Sequence, residues 1–336
     1  AAASALGDAD LAVAPATPDA CWILGDAPGS VPATPAAWHS RVLDRTGYVV
    51  FRREDRGAYL LFDAGPHGFL NGGHAHADAL SVVLTIGDDP LLVDPGTPTY
   101  TMDAAARDRF RRPDMHNTVT VDGRPFALPS GPFHWLRHAD ARLLAARIGG
   151  VGEFAAGMHS GYGFPIVRVV TVVGDAGWLI VDHVRLPRRA RIDTHWLVHP
   201  AWSAAVTATG FSLTHLSGTR LALATTASQR SVETSPWSPD YGRIAEGTAL
   251  HAAEVAEGPI ALASYVPARL TGSGAPALTA MAPAPGRPGW TLFPFAIAAG
   301  DDIRVEVAIP DAPETRPHWE DWPQPCIQER RAVCVE

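Results

Sequence analysis

Along most of the chain apolar and polar positions follow the period of two expected of strands. Gly47–Arg52 (GYVVFR) and Ala58–Asp63 (AYLLFD) read as strands separated by a turn-like EDRG. Ser81–Ile86 (SVVLTI) and Leu91–Asp94 (LLVD) follow, joined by Gly87-Asp88-Asp89-Pro90, residues that favour a hairpin turn. Ile166–Val173 and Trp178–Val184 flank a second such turn, Gly174-Asp175-Ala176-Gly177. Further short runs, THWLVH, FSLTHL, RLALAT, IALASYV and IRVEVAI, are each bounded by Gly, Pro, Ser or Asp. Only Thr101–Arg112 breaks the pattern, as a short helical or irregular insertion. Many short strands and almost no amphipathic helix predict an all-β fold, an antiparallel multi-stranded β-sandwich.

The two ends differ from this body. Residues 1–39 are rich in Ala, Pro and Gly, which predicts a linker with one short helical piece around Trp22 and a boundary near Ser40. No initiator Met, basic segment or continuous apolar run marks the first twenty residues as a signal peptide, so the chain reads as a piece of something longer. Past Pro310, prolines and Trp319 and Trp322 predict a packed but irregular tail. The expected organisation is thus 1–40 linker and helical remnant, 41–310 β-sandwich, and 311–336 tail.

With 336 residues, 46% hydrophobic and 18% charged, the chain is long enough for a substantial core. The net charge is −8 and all 27 basic residues are arginine, with no basic run. Nucleic acid and anionic membrane surfaces are therefore poor partners, and no segment is long and apolar enough to insert in a bilayer as a helix. An acidic polymer would have to be met by a few local arginines against an unfavourable average field. Cys21, Cys326 and Cys334 lack zinc spacing; they are either three ordinary thiols or one Cys326–Cys334 bridge and a lone thiol.

The chemistry concentrates in Gly72–Asp78, GGHAHAD. In an extended strand His74, His76 and Asp78 would leave one face together, although an ordinary solvent-facing strand has the same alternation. His76, Asp94 and His116, each at a predicted strand end, make a ligand set suited to zinc with one open position. His74 is then left beside the metal with a free imidazole, and Asp78 is a candidate to fix a histidine tautomer. Tyr100, six residues past Asp94, is a candidate for the same rim or a loop packing residue. Arg107 and Arg111 are candidate carboxylate or sulfate clamps, or else solvated charges on a short helix. Asn117, next to His116, is a candidate substrate contact. The remaining histidines are expected to be structural or at the surface, and most tryptophans, including Trp178 and Trp196, core. An HxH start also occurs in metallo-β-lactamases, amidohydrolases and cupins. Ala79 stands where the first needs histidine, the second needs a β/α barrel, and the third, left as an alternative, needs a glutamate that is absent before Pro90.

The ordered set GHAHADALSVVL, LLVDPGTPTYT and RDRFRRPDMHNTVTVDG resembles the heparinase II/III family of polysaccharide lyases, as do the later VVTVVGDAGWLIVDHV and WSPDYG. The resemblance runs from Trp38 to about Ala268. It implies an antiparallel β-sandwich that packs against an N-terminal α/α toroid, with zinc on His76, Asp94 and His116 and His74 lining the catalytic cleft. It implies β-elimination at a uronic acid of an acidic polysaccharide or oligosaccharide, in the periplasm or outside the cell. The toroid, which contributes a tyrosine and further groups in this family, is absent from the sequence apart from the stretch near Trp22, and the isolated chain is expected to be weak or inactive on polymer. The alternative is a non-catalytic carbohydrate-binding domain in which zinc only holds loops in place.

Overall fold

A computed structural model of the chain describes residues 39–53, 57–87, 89–139, 141–150, 152–174, 177–268, 276–298, 302–315 and 322–329. The expected helical piece near Trp22 and any pairing of Cys326 with Cys334 lie outside the described residues. The chain divides into Ala1–His39 and Ser40–Glu336, and every element below belongs to the second unit.

In chain order the strands begin with β1 (Arg41–Leu43), β2 (Tyr48–Arg53), β3 (Ala58–Asp63), β4 (Val82–Ile86) and β5 (Asp89–Leu92). After the short helix α1 (Ala104–Phe110) come β6 (Val119–Val121), β7 (Leu128–Pro129), β8 (Trp135–Arg137), β9 (Ala141–Arg147), β10 (Phe154–His159) and β11 (Ile166–Val173). The long β12 (Gly177–Val198) is followed by β13 (Trp202–Val206), β14 (Gly210–His215), β15 (Arg220–Thr225), β16 (Gln229–Trp237) and the long β17 (Ala245–Pro267). The last are β18 (Ala277–Ala280), β19 (Ala284–Pro285), β20 (Trp290–Ala298), β21 (Asp302–Pro310) and β22 (Cys326–Glu329).

β12 and β17 pair antiparallel over nearly their whole length and run through both halves of one 15-stranded sheet. Their register breaks between Leu186 and Ala190, where Pro187 has no N–H to give to a ladder. Before the break β12 lies between β11 and the second half of β17, in a row that runs from β9 through β15 to β13. Past it, β12 joins β5 and β6, and the first half of β17 joins β16, extending the row β1–β5. The two predicted strands Trp178–Val184 and THWLVH are therefore one continuous strand.

A third layer, β18–β22, covers the outer face of the β9–β13 row. Alternation shows this directly: on β11, Ile166, Val170 and Val172 face the core shared with β2–β5, whereas Val167, Val169 and Val173 face Phe293, Phe295 and Val305. Being covered on both sides explains why every residue of IVRVVTVV is buried and most are apolar. The tail past Pro310 is less irregular than expected: β22 pairs with β21, and buried Trp322 meets Trp290 edge-on at 5.0 Å. Trp178 and Trp196 are fully buried, as expected. Among the described residues no helix is long and apolar enough to cross a membrane.

Candidate functional site

Gly72–Asp78 is not a strand. Gly72, at φ 62°, donates its N–H to the Phe69 carbonyl and accepts from Ala75 N–H, closing two successive turns. Ala77 N–H then goes to the Arg111 carbonyl at the end of α1 instead of to a ladder. The glycines thus override the alternation, and the two histidines part: His74 is exposed, His76 buried. β5 ends earlier than predicted, so Asp94 stands beyond it in a loop.

That loop brings Asp94 to His116. Its Oδ2 lies 2.9 Å from His116 Nδ1, while its Oδ1 accepts the Gly96 N–H at 2.8 Å. His76 completes the group: one ligand-capable atom from each of His76, Asp94 and His116 lies within 4.8 Å of the others. His116 Nε2 is buried and has no hydrogen-bond partner. Burial, then the neighbouring charge of His116, lowers His76 to about 3, so its ring is neutral at ordinary pH. Desolvation would raise Asp94, but the charge and hydrogen bond of His116 outweigh it and hold the carboxyl at about 2. Burial would lower His116; Asp94, by charge and hydrogen bond, together with Asp78 raises it instead. Imidazoles plus an ionised carboxylate suit a borderline-soft divalent cation. One feature competes with it: Arg107 Nη1 and Thr97 Oγ1 lie 3.0 and 3.2 Å from His76 Nε2.

Asp78 acts on this group through charge, and the carboxylate bonded to His116 is Asp94. Burial raises Asp78 to about 6 and the nearby Asp63, at the end of β3, to about 7. Three carboxyl groups thus converge on His116, two of them inclined to hold a proton in the metal-free chain.

At the surface His74 Nδ1 lies 3.3 Å from the Tyr100 hydroxyl. Tyr100 stacks with both Phe133 and Tyr241, centroids at 5.5 and 5.8 Å, and the Arg107 guanidinium lies 4.8 Å from its ring centre. A groove of about 560 Å³, lined by residues 68–75 and Phe133, opens beside His74. Tyr100 therefore packs the loop, in contact with the groove-lining His74.

Three predicted substrate contacts are corrected. Arg107 and Arg111 are each 1% exposed, so neither is a solvated charge. Arg107 supports His76 and Tyr100, and Arg111 bonds Asp108 and the Gly131 carbonyl beneath the Trp135 ring, holding the β7–β8 turn. Asn117 is also 1% exposed: its amide donates to the Val82 and Val93 carbonyls and accepts Leu197 N–H, clamping β4, the residue after β5 and β12 together.

Sequence reading missed Arg168. It is fully buried on β11, paired with Asp182, and its Nη1 donates to the carbonyls of Leu80 and Asn117 at 2.8 and 2.5 Å. Those two carbonyls close the loops that carry His76 and His116. The signal was a lone charge inside IVRVVTVV.

Residues 35–265 match the family described as heparinase II/III-like, C-terminal. A mutant of the heparan sulfate lyase HepC from Pedobacter heparinus has a similar structure, with TM-score 0.67 at 17% identity over 92% of this chain and 46% of that one. The unmutated HepC gives 0.65 at 16%, again over 92% and 46%. A structure of heparinase III gives 0.67 at 14%, over 81% and 42%. The chain thus spans about half the length of these neighbours, and at such identities the likeness concerns the fold. No curated protein matches the sequence significantly.

Proposed function

Since the chain belongs to the heparinase II/III-like C-terminal family, we propose that it is the β-sandwich part of a polysaccharide lyase acting by β-elimination on a uronate-containing polymer. The observation that carries this reading is the meeting of Tyr100, at 3.3 Å, with His74 on the wall of an open groove, separated in sequence by one residue from the His76 of the His76–Asp94–His116 cluster. In such an elimination a base removes the proton α to the uronate carboxyl, an acid protonates the departing glycosidic oxygen, and polar groups stabilise the enolate-like charge between them. An imidazole and a phenol in contact offer a ring nitrogen that can accept a proton and a hydroxyl that can give one, and we assign the proton transfers to this pair.

His76, Asp94 and His116 are the residues that would hold zinc. When bound, the ion supplies a fixed positive charge and a cross-link between the three loops. His76 and Asp94 then fix the course of the segments that end in His74 and Tyr100, so the cluster orients the pair without touching the substrate.

We further propose that the groove is one half of a cleft whose other wall is an N-terminal α/α toroid, and that the protein works in the periplasm or outside the cell. The HepC neighbours are heparan sulfate lyases by name, so heparan sulfate is the first polymer to offer, followed by alginate and bacterial exopolysaccharides. The test is ultraviolet absorbance of the unsaturated uronate product, using the chain joined to such a helical domain. Product formation that disappears in His74→Ala with the fold intact is the expected result. Undiminished turnover in that variant, or no product from any of these polymers, overturns the assignment.

A further inference from the structure

Tyr241 has no role in the reading so far, yet its surroundings set it apart from the other exposed apolar residues. It lies in the turn Trp237-Ser238-Pro239-Asp240-Tyr241-Gly242 between β16 and β17. Both ends of this turn are tied to the loop after Asp94: Ser238 N–H donates to the Pro95 carbonyl and Gly242 N–H to that of Pro98, both at 2.8 Å. Inside it, Ser238 Oγ donates to the Asp240 carbonyl at 2.9 Å, and Arg243 pairs with the Asp240 carboxylate at 2.8 Å. The ring is 58% exposed and rests against Tyr100, centroids 5.8 Å apart and planes 27° apart.

A tyrosine kept in water costs apolar exposure, and a turn fastened this firmly spares a ligand the entropy of ordering it. The C–H face of a pyranose is the apolar surface that fits a flat, fixed aromatic ring whose edge also carries a hydroxyl. Tyr100, the neighbour in the stack, is the residue in contact with His74. A sugar on Tyr241 therefore lies one aromatic ring away from the His74–Tyr100 pair.

We propose that Tyr241 is a sugar-stacking subsite, holding the pyranose ring adjacent to the uronate presented to His74 and Tyr100. This rests on the lyase reading for its substrate class, but its readout is binding. The probes are a heparan sulfate tetrasaccharide and an alginate tetrasaccharide, titrated against this chain and followed by saturation-transfer NMR. Tyr241→Ala is expected to weaken binding of the accepted probe by about 3- to 10-fold, while Tyr241→Phe, which keeps the ring, stays within about twofold of the parent. Equal melting temperatures for all three proteins ensure that binding is compared between folded chains.

Equal affinity in Tyr241→Ala, equal losses in both variants, or no binding of either probe by the parent each overturn the subsite. The two readings fail separately. Binding that depends on the Tyr241 ring, without unsaturated product from the chain joined to its helical domain, removes the lyase and keeps the subsite. Product formation with Michaelis constant and turnover both unchanged in Tyr241→Ala removes the subsite and keeps the lyase.

Discussion

Arg168 and Asp182 face each other across β11 and β12 in a two-pronged ion pair, Nε to Oδ1 at 2.6 Å and Nη2 to Oδ2 at 2.9 Å, both residues buried. The guanidinium's third nitrogen reaches past the pair to the carbonyls of Leu80 and Asn117. One buried cation thus ties the central sheet to both histidine-bearing loops.

Removing it leaves Asp182 buried without its partner. Arg168→Leu is expected to lose about 3–5 kcal/mol of stability in denaturant titration. The double variant Arg168→Leu/Asp182→Leu, which leaves no charge stranded, is expected to recover part of that loss. Metal affinity is expected to fall in both, because the loop carbonyls lose their anchor in both. Full metal affinity in a folded double variant would show that the loops are held some other way.

The cluster itself predicts a coupling between metal and stability. Purified chain prepared with zinc is expected to carry it near-stoichiometrically by mass spectrometry, and to melt at lower temperature after chelation. His76→Ala and His116→Ala are each expected to lose the ion and its stabilisation. Unchanged melting of both variants, or no metal in the parent, would count against the site.

A pH dependence follows from His159 at the end of β10. Burial, then the charge of Arg168, lowers it to about 3, and its Nε2 is buried without a hydrogen-bond partner. In the unfolded chain it takes up a proton near 6.5, whereas in the folded chain it stays neutral until far lower pH. The unfolded state therefore binds more protons between those values, and stability is lost as pH falls through that window. The contribution is roughly 2 kcal/mol by pH 5. His159→Gln is expected to flatten the fall in melting temperature between pH 7 and pH 5; an unchanged slope would place the titration elsewhere.

The fold was legible because its pattern is local. Alternation in AYLLFD and the apolar run of IVRVVTVV marked β3 and β11 to the residue. The fusion of two predicted strands into β12 was not, because Pro187 and the charged Arg188-Arg189 look like a boundary and only pairing with β17 carries the ladder past them. At the site, the identities of His76, Asp94 and His116 could be read as ligand chemistry, and the structure brings them together. The environments of Arg107, Arg111 and Asn117 could not. Whether a guanidinium meets solvent or is sealed under Tyr100 and Trp135 depends on the β7–β8 turn, whose contacting carbonyls lie 20 to 25 residues further along the chain. Likewise, the strand assumed for GGHAHAD failed on contacts between Ala77 and Arg111 that no local window contains.

Gly96 offers the sharpest test of how Asp94 is aimed. It sits at φ 77°, where a side chain is strained, and a Cβ there would lie 2.2 Å from the Ser238 carbonyl oxygen. Its N–H is also the donor that fixes Asp94 Oδ1. Gly96→Ala must therefore either push away the 238–242 turn or change the backbone that orients the carboxylate. Because the strain falls on a loop outside the hydrophobic cores, the sandwich is expected to fold with most of its stability. Metal affinity is expected to drop roughly 10-fold or more, as when an outer support of a metal ligand is lost. Competition with a chromophoric chelator measures the affinity, and thermal melting of the metal-free chains measures the cost to the fold. A variant that melts early yet binds metal as tightly as the parent would show that Gly96 serves the sandwich and not the ligand.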